Sequence, residues 1–196
     1  MPSPPRVGLT GGLASGKSTV ARLLREAGFE VVDADRVVAE LYRPGGAGTR
    51  ALTTLFGPGL LKTDGSVDKA RVAHLIFSDS AARLALEEAI HPLVRAHFAR
   101  VAATATGPVV FEATRLVEAG YAPDFDLVVT VEAPLELRLE RAVARGLPRE
   151  EALSRLVAQG DGRERRAAAD RTIANDGSPE ELRAAVAALV TEIRQR

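Results

Sequence analysis

Hydrophobic residues follow two patterns along this chain: short apolar runs rich in β-branched residues, and longer stretches with helical spacing. The short runs predict five β-strands, at Val7–Thr10, Phe29–Val32, Pro108–Glu112, Asp126–Val131 and Arg171–Ala174. The fourth run is continuously apolar, as expected for a parallel strand buried on both faces. Helical spacing follows the first run at Val20, Leu23 and Leu24, and it returns at the end of the chain at Leu182, Val186, Leu189, Val190 and Ile193. The alternation predicts an α/β fold with a parallel sheet flanked by helices.

Residues 36–106 have helical patterns and no strong strand. Turn signals interrupt them at Pro44-Gly45-Gly46, Gly57-Pro58-Gly59 and Asp64-Gly65. The apolar residues from Leu84 to Val101 predict a pair of helices, broken or kinked at His91-Pro92. About seventy residues between two strands is far more than a crossover needs. This stretch is therefore predicted to be a helical subdomain inserted to hold a second substrate.

A glycine-rich loop lies between the first predicted strand and the first predicted helix. Its sequence, Gly11-Gly12-Leu13-Ala14-Ser15-Gly16-Lys17-Ser18, fits the spacing of loops that cradle nucleotide phosphates. The glycines let several N–H groups face an anion, and the start of the helix adds its positive end. Lys17 would reach the β- and γ-phosphates, and the Ser18 hydroxyl would bind Mg²⁺. The alternative is a plain glycine turn with a surface lysine. The chain has few lysines, however, and the segment predicts nucleoside triphosphate binding.

Acidic residues end two of the predicted strands. Asp33 and Asp35 follow the second strand, and in a doubly wound sheet they would reach the edge that holds the phosphate loop. They would lie on the same side if the strand continued through both. The alternative at either position is a helix N-cap. Glu112 ends the third strand, where it would orient a metal-bound water, face solvent or cap a helix.

Arginines are concentrated in the segment after the fourth strand. The spacing of Arg138, Arg141 and Arg145 places them along one face of a helix that starts at Leu135. Guanidinium groups suit transferring phosphates, whereas a solvated face paired with Glu136 and Glu140 is the alternative, and for Arg138 the favoured one. The polar, glycine-broken stretch from Arg149 to Arg166 has the composition of a mobile flap. No Asn-Lys-x-Asp signature occurs, which argues against a GTPase.

Composition narrows the class of protein. The chain has 196 residues, 46% of them hydrophobic, a formal net charge of zero and no cysteine. Zero charge argues against a general nucleic-acid binder, and the lack of cysteine excludes disulfides and thiolate chemistry. No apolar run approaches a membrane span, and Met1–Pro5 is expected to be a short frayed tail without a signal-peptide core. These features favour a cytoplasmic enzyme with no membrane or nucleic-acid partner.

Several motifs in order resemble the dephospho-CoA kinase family over nearly the whole chain. They are Thr10 to Ala21, Val32-Asp33-Ala34-Asp35 through Ala39, Phe56-Gly57, Asp64-Gly65, Leu75-Ile76-Phe77-Ser78-Asp79, His91-Pro92-Leu93-Val94-Arg95, and Ala169-Asp170 through Asn175-Asp176-Gly177. The phosphate loop is shared by many kinases. The Asp-Ala-Asp and His-Pro-x-Val-Arg elements are much more selective.

The resemblance implies a reaction and an organisation. ATP with Mg²⁺ would phosphorylate the ribose 3′-hydroxyl of dephospho-CoA. Residues 1–35, 107–137 and 171–196 would form the nucleotide-binding core, residues 36–106 the helical insertion that binds CoA, and residues 138–170 an arginine-rich lid.

The same resemblance implies roles for individual residues. Asp33 would be the general base or the group that orients the hydroxyl, and Lys17 with Arg141 or Arg145 would neutralise the transferring phosphoryl group. Asn175 would lie near the adenine. The nucleotide would contact Gly11, Gly12, Leu13, Ala14, Ser15, Gly16, Lys17, Ser18 and Thr19, and the acceptor would contact Thr10, Asp35, His91, Arg95 and Arg115.

One segment departs from the family pattern. Where the family usually has Pro-Leu-Leu, then Phe or Val, then Glu, this chain has Thr114-Arg115-Leu116-Val117-Glu118. A kinase for a different acceptor therefore stays open as an alternative, as does a nucleotide-binding module that has lost catalysis.

Overall fold

The computed structural model of this protein describes residues 4–196, and most of the N-terminal tail predicted at residues 1–5 lies outside that range. Five strands form one sheet in the order β2-β3-β1-β4-β5. Their bounds are β1 Arg6–Gly11, β2 Glu30–Asp33, β3 Val109–Glu112, β4 Leu127–Glu132 and β5 Arg171–Ala174. β1 pairs in parallel with β3 and β4, and β4 with β5. The predicted parallel α/β sheet is confirmed, and no strand end is shifted by more than one residue.

Nine α-helices lie within the described residues. Their bounds are α1 Lys17–Glu26, α2 Ala34–Leu41, α3 Ala47–Phe56, α4 Lys69–Ser78, α5 Ser80–Thr104, α6 Leu135–Ala144, α7 Arg149–Ala158, α8 Arg163–Ala168 and α9 Pro179–Arg194, with short 3₁₀ turns at Pro58–Leu60 and Ala122–Asp124. The described residues form two compact units, one of residues 4–32 and 102–196 and the other of Asp33–Val101. None of the described helices is both long and apolar enough to cross a membrane.

The first unit has its main core between the sheet, α1 and α9. Buried side chains from these elements pack together, among them Val7, Leu9, Val20, Leu24, Val129, Val131, Val186 and Ile193. α9 begins with a capping box, in which the Ser178 side chain accepts from the Glu181 N–H and the Glu181 carboxylate accepts from the Ser178 N–H. The central strands β1 and β4 are buried along most of their length, and they hold the loop after β1 on a rigid support.

The second unit is helical. Asp33 caps α2 and Asp68 caps α4, each through a side-chain oxygen that accepts two backbone N–H groups. The prediction of two helices meeting at His91-Pro92 is wrong, because α5 runs through Pro92 as one helix. Its buried residues Leu86, Ile90, Val94 and Phe98 recur every four residues, while Pro92 is exposed. This continuous apolar stripe favours a single helix in spite of the backbone hydrogen bond that proline cannot make.

Candidate active site

The phosphate loop, Gly11–Ser18, connects β1 to α1 in a conformation that its glycines make possible. Gly16 precedes α1 with a φ of 102°, and a Cβ placed on it would lie 1.9 Å from the Asn175 side-chain nitrogen. Ala14 has a φ of 57°, in the left-handed region that costs energy for a residue with a side chain. The loop is therefore held in a shape that most sequences would not adopt.

The interior of the loop presents hydrogen-bond donors without protein acceptors. Within residues 4–196, no protein acceptor binds the backbone N–H groups of Ala14, Gly16, Lys17 or Ser18. The Ser15 hydroxyl is buried, and it too has no partner in this part of the chain. Buried polar groups are normally paired, and N–H groups at a helix start favour anions. These residues therefore fit a bound phosphate chain.

Lys17 is paired with the acid that ends the neighbouring strand. Its Nζ lies 2.7 Å from Glu112 Oε1, and the two side chains are only 13% and 6% exposed. Arg25 lies at the longer distance of 3.8 Å from the other carboxylate oxygen. The alternative in which Glu112 faces solvent is wrong. Its position at the carboxyl end of β3 aims the Lys17 ammonium across the end of the sheet.

Asn175, just after β5, supports the loop from the opposite side. Its side-chain nitrogen donates to the Ser15 carbonyl at 2.7 Å, and its own backbone N–H donates to the Glu132 carbonyl. Arg141 in turn donates to the Asn175 carbonyl at 2.9 Å. The residue thus links the phosphate loop, the sheet edge and α6.

Arg138 differs from the expectation of a solvated residue paired with Glu136 and Glu140. It is 5% exposed, and its guanidinium donates to the Leu13 carbonyl and to the Gln159 side chain, at 2.9 and 3.0 Å. Burial lowers the pKa of this guanidinium, and the nearby Arg165 cation lowers it further, while Glu132 acts in the opposite direction. Arg138 is buried because α6 packs the face that carries it onto the phosphate loop.

Arg145 lies outside α6, which ends at Ala144, and its side chain is exposed. The residues that follow, predicted as a flap, form α7 and α8. Ala152 and Leu156 of α7 are buried in an apolar cluster with Ala14, Leu139 and Ala142. Part of α7 is therefore packed next to the phosphate loop.

A buried ion pair at the end of β4 was missed in the sequence. Arg165 of α8 is 2% exposed, and its guanidinium donates to both oxygens of Glu132, at 2.9 and 3.3 Å. Glu132 also accepts from the Thr130 hydroxyl at 2.7 Å. The available signal was that Glu132 ends a buried strand at the same edge as Glu112.

Thr10 and Arg115 lie near the end of β3. Thr10 is fully buried, and its hydroxyl donates to the Thr114 carbonyl at 3.2 Å, so it tethers the segment that contains Arg115. Arg115 itself is exposed.

The candidate residues of the second unit are described separately. Asp33 Oδ1 accepts from the N–H groups of Asp35 and Arg36, at 2.9 and 3.3 Å, as the N-cap of α2. The β2 strand ends at Asp33, so Asp35 lies in the first turn of α2. The condition under which both acids would lie on the same side of one strand is therefore not met. His91 and Arg95 are one helical turn apart in α5.

The comparisons with known proteins identify the family. The dephospho-CoA kinase family model matches residues 6–181. This chain belongs to the dephospho-CoA kinase family. Dephospho-CoA kinase of Frankia casuarinae is 42% identical over 182 residues, which cover 92% of this chain and 80% of the relative.

Two solved structures have the same fold. A Thermus thermophilus protein is 36% identical with a TM-score of 0.84, over 97% of this chain and 98% of its own. Dephospho-CoA kinase of Campylobacter jejuni is 25% identical with a TM-score of 0.70, over 97% of each chain. The resemblance stated from the motifs is confirmed, and so is a nucleotide-binding kinase fold.

The side chains of the described residues limit where they alone could hold a metal. The described residues contain no group of three or more His, Asp or Glu side chains placed to hold an ion. Mg²⁺ in kinases is usually held by one or two protein oxygens together with substrate phosphates and waters. Ser18, exposed in the first turn of α1, fits that limited role.

Proposed function

We propose that this member of the dephospho-CoA kinase family transfers the γ-phosphoryl group of ATP to the ribose 3′-hydroxyl of dephospho-CoA, which gives coenzyme A and ADP. The observation that carries the proposal is the phosphate loop, with four backbone N–H groups that have no acceptor within residues 4–196 and a lysine directed by Glu112. This reaction is the last step of coenzyme A synthesis, and we assign it to the cytoplasm.

The loop binds the triphosphate through its free donors. Within the described chain, no protein group competes with phosphate for these donors, which are the Ser15 hydroxyl and the N–H groups of Ala14, Gly16, Lys17 and Ser18. Lys17 contacts the β- and γ-phosphate oxygens and exchanges part of its interaction with Glu112 for them. Since phosphoryl transfer depends mostly on positioning and electrostatics, these contacts supply much of the catalysis.

Mg²⁺ would be held by the Ser18 hydroxyl together with the phosphates. When bound, it neutralises negative charge on the transferring group. Glu112, whose Oε1 lies 2.7 Å from Lys17 Nζ, would orient a water of that ion as well as direct Lys17.

On the acceptor side, the family resemblance supplies the residue roles. Asp33 orients the ribose hydroxyl or accepts its proton. The hydroxyl oxygen attacks the γ-phosphorus, and the bond from that phosphorus to the β–γ bridging oxygen breaks. His91, Arg95, Asp35, Thr10 and Arg115 form the acceptor contacts, and residues 36–106 hold the CoA portion.

On the donor side, Arg141 and Arg145 meet the phosphoryl oxygens, and residues 138–170 form the lid. Asn175 lies beside the adenine and at the same time supports Ser15. Its hydrogen bond to the Ser15 carbonyl supports the second role, and the Arg141 guanidinium donates to its backbone carbonyl.

The test is ADP release coupled to a spectroscopic assay, with dephospho-CoA, shikimate and nucleoside monophosphates as separate acceptors. We expect dephospho-CoA to be the only one of these acceptors that raises ADP release above the rate without an acceptor. Turnover with a different acceptor would support the alternative kinase. ADP and ATP binding by calorimetry without turnover on any acceptor would instead support a binding module and would overturn the proposal.

A further inference from the structure

Both backbone groups of Leu13 are bound by side chains from distant parts of the chain. Its N–H donates to Gln159 Oε1 at 2.8 Å, and its carbonyl accepts from Arg138 Nε at 2.9 Å. Arg138 Nη2 also donates to the same Gln159 oxygen, at 3.0 Å. The three bonds form a closed set, which we call the Leu13 clamp: Leu13, Arg138 and Gln159.

The clamp comes from two helices that pack against the loop. Arg138 lies in α6, and Gln159 is the residue at the C-terminal end of α7. Beneath them, Ala14, Leu139, Ala152 and Leu156 form an apolar cluster, with Leu13 packed at its edge. The polar contacts are thus supported by buried packing.

Gly12 leaves room for the clamp. A Cβ on Gly12 would lie 2.2 Å from Arg138 Nη2 and 2.8 Å from its central carbon. The absence of a side chain at position 12 therefore serves the guanidinium, in addition to any approach of a phosphate.

The clamp acts on the part of the loop that is under strain. Leu13 directly precedes Ala14, which has a φ of 57°, and the N–H groups that face the phosphates follow. Because the Leu13 N–H is engaged by Gln159, it points to α7 while the next free N–H, that of Ala14, is left for an anion. Strained backbone of this kind persists only where the surroundings hold it.

We propose that Gln159 and Arg138 are positioning residues that hold the phosphate loop in its phosphate-binding shape through Leu13. The essential atom is Gln159 Oε1, which accepts from both Leu13 and Arg138. The inference rests on the proposed phosphate role of the loop. Because Gln159 accepts two hydrogen bonds through that one oxygen, the site requires a side chain of the same length that carries an acceptor oxygen.

The experiment compares Gln159→Met, which keeps the length but removes the acceptor, with Gln159→Glu, which keeps the oxygen. Gln195, exposed at the end of α9, offers Gln195→Met as the matched control. In Gln159→Met we expect kcat/KM for ATP to fall about tenfold to thirtyfold, as for two lost hydrogen bonds, with the KM for dephospho-CoA unchanged. Gln159→Glu should retain most of the wild-type value, and Gln195→Met all of it.

Amide hydrogen exchange at Leu13, measured by NMR without nucleotide, separates this inference from the proposed function. We expect slow exchange in wild type and in Gln159→Glu, and fast exchange in Gln159→Met, whatever the protein phosphorylates. A Gln159→Met variant with wild-type kcat/KM for ATP would overturn the inference. So would equal losses in Gln159→Met and Gln159→Glu, or a protected Leu13 amide in Gln159→Met.

Discussion

The Nζ atom of Lys17 lies 2.7 Å from Oε1 of Glu112, and both side chains are largely buried. Lys17 is the first residue of α1, and Glu112 is the last residue of β3. The ion pair therefore fixes a flexible side chain at the end of the sheet where parallel α/β folds bind ligands. A lysine already directed to that edge loses less conformational entropy when phosphates arrive.

Removal of the Lys17 charge should abolish most activity. We expect Lys17→Ala to lose about 10²-fold or more in turnover, because the cation stabilises charge that develops on the transferring phosphoryl group. The measurement is steady-state ADP release, with circular dichroism to check folding. Lys62→Ala, which removes an exposed lysine from a turn, is the matched control and should be unaffected. Near-normal turnover in Lys17→Ala would contradict the phosphate-loop assignment.

Arg145 tests the predicted lid. It is exposed just beyond α6, so a change there should disturb the fold little. Arg145→Lys keeps the charge but loses the planar pair of donors, so we expect kcat to fall more than ATP affinity. Kinetics and nucleotide calorimetry give the two quantities, and Arg183→Lys on the exposed face of α9 is the control. If neither quantity changes, Arg145 is a surface residue.

The buried pair of Arg165 and Glu132 should affect stability. Glu132→Ala would remove the nearer carboxylate from the Arg165 guanidinium, which is 2% exposed, and leave it with Glu118 at 3.7 Å. Arg138 lies near enough to feel the same loss. We expect a cost of about 3–5 kcal/mol in the free energy of unfolding, measured by urea denaturation.

A surface pair provides the comparison for Glu132. The Glu180 carboxylate lies 3.6 Å from Arg183, with side chains 76% and 62% exposed. Glu180→Ala should cost no more than about 1 kcal/mol. Equal effects of Glu132→Ala and Glu180→Ala would show that burial of the Arg165 pair contributes little.

The positions of the strands along the chain, the phosphate loop and the family could be predicted because each leaves a local signal. β4 is a continuous apolar run, and Gly11–Ser18 has a fixed spacing between a strand and a helix. Long-range contacts leave no such signal. The burial of Arg138 against Leu13 depends on how α6 packs, and helical spacing alone placed this residue in solvent.

The continuity of α5 shows where local rules fail. Pro92 predicts a break, but the stripe from Leu86 to Phe98 keeps its four-residue spacing across it. Similarly, Glu132 and Arg165 are 33 residues apart, and only the fold brings them together. Sequence alone gave Arg165 no feature that set it apart from the neighbouring Arg163 and Arg166.

Arg115 tests whether the departure from the family pattern matters for the acceptor. It is exposed in the segment that follows β3, and Thr10 tethers that segment through the Thr114 carbonyl. If Arg115 contacts an acceptor phosphate, Arg115→Leu should raise the KM for dephospho-CoA by about tenfold or more, as for the loss of one charged hydrogen bond. The KM for ATP should stay constant. An unchanged KM for dephospho-CoA would leave Arg115 without a role in acceptor binding.

Asp33 is proposed to act on the acceptor hydroxyl, and in the structure it is also the N-cap of α2. Its Oδ1 caps α2 by accepting from the N–H groups of Asp35 and Arg36. Asparagine caps helices about as well as aspartate, so Asp33→Asn should retain the cap and the stability of the protein. Asparagine cannot take a proton, however. If Asp33 is the general base, the variant should lose about 10²–10⁴-fold in turnover with ATP binding intact.

Asp68 supplies the matched control for Asp33, because its Oδ1 caps α4 in the same way, with bonds of 3.0 and 3.2 Å to Ala70 and Arg71. Asp68→Asn should leave turnover and thermal unfolding at wild-type values. Partial rescue of Asp33→Asn by higher Mg²⁺ would indicate that Asp33 acts through a metal-bound water. If Asp33→Asn and Asp68→Asn were both as active as wild type, Asp33 would act only as a helix cap. It would then resemble Asp68, which caps α4 and takes no part in proton transfer.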